Sequence, residues 1–256
     1  MQAEDLKDLA YAKQLLENPG LAIKLANYLG YPIEKAMDLI PDSWAQSITK
    51  ITHGSLIQAL NFAITTLENR QRSSSDFFHK LSVAATGAVG GAFGLAALGV
   101  ELPVTTVIML RSIADIARSE GEDVREVDTK IGCLQVFALG GKSGSDDASE
   151  VGYFAIRSAL AKQVTEAVRY IAQRGMVEEG APAIIRLITV ISSRFGVTVT
   201  EKVAAQAVPV VGAAGGLLVN SVFMDHFQNM ARGHFIVRRL ERVYGIEAVE
   251  RHYKKI

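Results

Sequence analysis

The chain has 256 residues, 49% hydrophobic and 21% charged, which is enough apolar mass to bury a core and too much for a disordered chain. Lysine plus arginine and aspartate plus glutamate each number 27, so no global positive field would gather phosphates, and nucleic acid is excluded as a general partner. Cys133 is the sole cysteine and has no partner within the chain, which fits a reducing compartment and a cytoplasmic protein.

The start, MQAEDLKDLAYAKQLL, is charged and amphipathic, unlike a secretory leader, and it predicts a helix that stops at Asn18-Pro19-Gly20. A short piece runs to Gly30, and Pro32 suits the first turn of the next one. Apolar residues at helical spacing predict a long helix over residues 44–70. Residues 71–76, QRSSSD, read as a polar linker. An apolar run over 83–110 follows, in which Glu101 and Pro103 predict a break with a helix on either side. Further helices are predicted over about 124–139 and 150–174, the second ended by Gly175. Residues 140–147, GGKSGSDD, form the clearest loop. Two shorter helices should fill 181–208, with VTVT at 197–200 as an extended link, and a long helix should run from about Gly212 to Tyr244 and end at Gly245. The expectation is therefore an all-α protein: a single helical domain of about eight to eleven helices spanning residues 1–256.

Mean hydropathy is +0.19, and two stretches, 83–110 and 203–224, approach the ~20 apolar residues of a membrane span. Both are rich in glycine, with four-residue pairs at Gly87/Gly91, Gly90/Gly94 and Gly212/Gly216. Such pairs let helix backbones approach closely. The two segments are expected to pack together at the centre of the fold, which would bring Arg111 to Asp225 and Glu101 towards Asn220. Residues 232–256 carry seven basic side chains against three acids, a net of +4, and so offer attraction to anionic lipid.

Few motifs carry chemistry. Gly141-Lys142-Ser143 lacks the upstream glycine and strand of a phosphate loop, there is no G-x-S-x-G elbow, and no spacing supports a metal. No cofactor is expected. What remains is a set of polar residues in apolar surroundings. Glu101, Thr105, Ser112 and Asp115 share a helix face, and Asp225, His226 and His234 lie on the long C-terminal helix. Their plain reading is a network joining helices. Their sharper reading is a buried site in which Glu101 or Asp115 moves a proton, with Asp225, His226 and His234 as further catalytic candidates.

Four strings give the chain a resemblance: GGAFGLAALGVELPVTTVIMLRSIADIARSEGED, CLQVFALGG, the SEVGYFAIR block and VPVVGAAGGLLVNSVFMDHFQNMARGHFIVRRLERVYG. Together they resemble the bacterial EcsC protein family over roughly residues 15–244. The resemblance implies a link to transport or protein secretion, since the founding member is encoded beside an ABC transporter, and it transfers no catalytic residues. Two functions are expected from residues and resemblance together. One is a non-enzymatic helical protein acting at the cytoplasmic membrane face, with a membrane surface or membrane protein as partner. The alternative is a hydrolase-like enzyme acting on an apolar or peptide substrate.

Overall fold

Apolar residues on every side of one short helix fix the centre of the molecule. The computed structural model describes residues 1–17, 20–67, 95–140, 152–178, 180–208 and 212–256. The central helix spans Val127–Leu139, and every residue from Thr129 to Leu139 is buried. A helix apolar all round has no face for water and must be enclosed. The enclosing elements, in chain order, are α1 (Ala3–Glu17), α2 (Leu21–Leu29), α3 (Ile33–Met37), a single 3-10 turn (Asp42–Trp44), α4 (Ala45–Thr66) and α5 (Leu95–Ser119). After the central helix, α6, come α7 (Tyr153–Arg174), α8 (Pro182–Ala207), α9 (Gly212–Tyr244) and α10 (Ile246–Lys255). The protein is a single all-α domain, with no strand among the described residues.

Helix α6 touches α4, α5, α7, α8 and α9. The pair α4 and α5 and the pair α4 and α8 pack extensively, and α2 and α3 lie on α8. Helix α9, about 50 Å long at 1.5 Å per residue, is the other organising element. It carries α1 along one side and meets α5, α6, α8, α2 and α10. An aromatic cluster of Phe137, Phe195, Phe223 and Phe227, with centroids 4.9 to 6.2 Å apart, joins α6, α8 and α9.

Two sequence expectations are corrected. The helix does not break at Glu101 and Pro103: α5 runs through both. Proline leaves the carbonyl four residues back without its donor, but buried Leu98, Leu102, Met109 and Leu110 hold the helix in place. Residues 197–200 are helical within one continuous α8. The β-branched residues there lower helix propensity, but Val199 and Thr198 are packed in the core, and the Thr198 and Thr200 hydroxyls donate to Phe195 O and Gly196 O, both at 2.8 Å. Helix α10 follows directly on Gly245, which sits at φ 81° and turns the chain.

The expected packing of the two glycine-rich segments falls on residues outside those the structure describes. Residues 71–76, 87–94, 141–147 and Pro209 lie outside the described residues, and with them half of the expected contact. A Cβ built on Gly216 meets no described atom within 4 Å, and the segment expected to pack on it, residues 87–94, is not among the described residues. The close approaches among the described residues are at other glycines. A Cβ on Gly233 would stand 2.6 Å from Leu16 Cγ and 3.0 Å from the Ala12 carbonyl. One on Gly140 would stand 2.7 Å from His226 Nε2 and 2.8 Å from Phe227 Cε1.

Candidate functional site

The polar candidates are strung along α9 and its neighbours, each with its own local partner. Glu101 of α5 receives a hydrogen bond from Lys202 Nζ of α8 at 2.7 Å. Lys202 is fully buried, and its ammonium lies 5.0 Å from the Phe223 ring. Burial lowers the lysine pKa, while the charge of Glu101 and its hydrogen bond oppose the shift. Further along α5, Ser112 accepts a bond from Gln228 Nε2 at 2.9 Å. Asp115 is mostly exposed and pairs with Arg118, which in turn closes the end of α4 by donating to Leu67 O at 2.9 Å.

On α9, Asp225 faces solvent. The expected Arg111–Asp225 ion pair does not form: Asp225 lies near Lys24, whereas Arg111 sits over the Phe62 ring at 5.5 Å. A surface aspartate has no need of a buried counter-ion, and the ring offers the guanidinium a favourable face. His226 is buried, and its Nε2 lies 2.9 Å from Gly140 O. A carbonyl only accepts, so Nε2 carries the proton and Nδ1 is left as a bare, buried acceptor. Burial pushes this imidazole down to about 4, the bond to Gly140 resists, and the charge of Lys24 adds to the fall. His234, two turns on, is also fully buried. Its Nδ1 meets the Tyr153 hydroxyl at 2.9 Å. Burial, then the Arg157 and Arg238 charges, hold its pKa well below the ordinary histidine value.

Tyr153 opens a chain of contacts across α7 and α9. Arg157 Nη1 donates to the Tyr153 hydroxyl at 3.2 Å and grips Glu241 with two bonds of 2.6 and 3.0 Å. Beside it, Arg238 binds Glu122 and Asp128, and Arg242 binds Glu122 as well. Burial works against the Glu122 charge, but Arg238 and Arg242 keep its pKa below the ordinary value. Arg239 reaches Asp5, Asp8 and Glu120. Arg251 and Lys254 pair with Glu247 and Glu250.

The five candidates are thus not gathered. Glu101 belongs with Lys202, Asp115 with Arg118, His226 with Gly140 and His234 with Tyr153, while Asp225 stands apart. No group of three metal-ligating side chains occurs among the described residues. Burial disfavours the charged form of both imidazoles, and each meets a structural partner through one ring nitrogen. The residues missed in the sequence are Lys202, Tyr153, Arg157, Glu241 and Glu122. Only Lys202 left a trace there, as a lysine followed by the apolar run VAAQAV.

Fold and site together define a helical domain whose interior polar groups join one helix to another. The chain belongs to the EcsC protein family, whose model matches residues 24–240. No curated protein and no solved structure matches it. Helices α1 and α10 lie essentially outside the matched region and contact each other: Lys13 Nζ of α1 donates to Tyr253 O at 3.0 Å.

Proposed function

We propose that this protein acts without catalysis at the cytoplasmic face of a membrane, associating reversibly with the bilayer or with a membrane partner in the service of transport or protein secretion. One observation carries the reading. Helices Ala97–Ser119 and Pro182–Ala207 are long and apolar enough to cross a bilayer, yet only 44% of each apolar window is buried. Val100 on the first is 58% exposed and Ile185 on the second 44%. Apolar surface that the fold does not use is available to lipid or to an apolar partner.

The basic C-terminal segment contributes less than its sequence suggests. Its arginines at 238, 239 and 242 already hold carboxylates within the fold. Association should then be driven by apolar burial and depend little on salt. The test is sedimentation with vesicles of phosphatidylethanolamine and phosphatidylglycerol at low and high ionic strength. The expected result is binding retained in high salt. Protein that stays in the supernatant with these vesicles and with native membranes overturns the reading.

A further inference from the structure

The charges of Glu101 and Lys202 come one each from α5 and α8, the two helices whose apolar windows reach span length. The pair is lopsided. The lysine side chain is 0% exposed, whereas the glutamate is 30% exposed and follows exposed Val100. An ammonium has three N–H donors. That of Lys202 has Glu101 as its hydrogen-bond acceptor, with the Phe223 ring beside it. The buried Asn220 Oδ1, one turn before Phe223 on α9, has no partner either. This is a sealed cation, incompletely solvated by protein and neutralised by an anion within reach of the outside.

We infer that Glu101 and Lys202 form a latch that ties α5 to α8 in the folded domain, and that a lipid surface is what the two helices meet when it opens. The inference rests on the membrane-face reading above. Glu101 is the half of the pair that solvent reaches. When it lets go, Lys202 becomes an unpaired ammonium in an apolar core, a strongly unfavourable state that drives the helices apart. In a bilayer the same charges are tolerable. Lys202 lies five residues, about one and a half turns, from the end of α8, so its side chain can extend to the interface and carry its counter-ion with it.

The test uses the full chain and the same vesicles. A Val100→Cys variant carries an environment-sensitive dye. Cys133 does not compete for the label, because it is buried and its thiol is pushed up to about 12. On this background, Glu101→Gln should raise the vesicle-bound fraction at limiting lipid by about tenfold or more, measured well below its Tm, with a blue-shifted dye. Glu101→Gln combined with Lys202→Met removes the charge that drives opening and should return binding to the parent level or below. Glu101→Asp, which keeps the charge but shortens the reach, should fall between and serves if the glutamine variant does not fold. If the parent binds vesicles and neither single variant binds more, the latch is wrong and the membrane reading stands. If neither parent nor variants bind, both fall.

Discussion

Gly233 of α9 lies against the backbone of Ala12 in α1, so close that a β-carbon would stand 3.0 Å from the Ala12 carbonyl oxygen and 2.6 Å from Leu16 Cγ. The crossing fixes how α1 lies. Residues 12 and 16 meet 233, Asp8 meets Arg239 and Asp5 meets Tyr244, so the two helices run antiparallel.

Gly233→Ala should therefore destabilise the protein even though alanine favours helix by about 1 kcal/mol. Overpacking a tight contact costs about 1–3 kcal/mol, and a backbone carbonyl yields less readily than a side-chain tip. Gly54→Ala, at an exposed position of α4 with no described atom in its way, should instead raise stability by roughly 0.5–1 kcal/mol. Thermal denaturation of the two variants should move Tm in opposite directions.

Glu241→Ala should be among the most damaging single changes. Glu241 and Arg157 have side chains only 8% and 20% exposed, and removing the carboxylate strands a buried guanidinium. The expected cost is about 3–5 kcal/mol, or roughly a 10 °C fall in Tm. Replacing both partners, Arg157→Met with Glu241→Leu, should recover most of the loss. Arg239→Ala breaks more ion pairs but in a more exposed place, and should cost about 1 kcal/mol or less.

Stability should fall as the solution is acidified from pH 6.5 to about 4. Over that range the unfolded chain takes up a proton at residue 226 that the folded chain refuses, because the folded imidazole lies at about 4 against an ordinary 6.5. His226 alone accounts for a loss of about 3 kcal/mol between those limits, and His234, also shifted downward, adds to it. His226→Gln keeps an N–H for the Gly140 carbonyl but does not titrate. Its Tm should depend less steeply on pH across this window, and an unchanged slope would show that residue 226 is not the group responsible.

Helix content and several helix ends were legible in the sequence, because they depend on neighbours along the chain. Gly175, at φ 68°, donates to Ile171 O at 2.7 Å and ends α7 where the sequence predicts a stop. The continuity of α5 through Pro103 was not legible, since long-range packing of Leu98, Leu102 and Met109 overrides a local breaker. Nor were the close crossings. Gly233 stands alone in sequence and Gly140 reads as the start of the GGKSGSDD loop, and what makes them necessary is Leu16 and His226, each distant along the chain. Of the site candidates, His226 and His234 are polar groups in apolar surroundings, whereas Asp115 and Asp225 face solvent. Their partners were hidden because Glu101 and Lys202, or Arg157 and Glu241, are joined by chain separations of 101 and 84 residues.

The strap made by α1 has a dynamic consequence. Its hold on α9 combines a few apolar contacts, from Leu9, Ala12 and Leu15, with carboxylates at Asp5 and Asp8 that lie near solvent. Helix α6, enclosed on all sides, has no comparable route to water. The amides of α1 should exchange through a local opening that leaves the rest of the domain intact, whereas those of α6 should wait for global unfolding. Salt should widen the gap between them, because it screens the bonds at Arg239 and leaves the buried helix untouched.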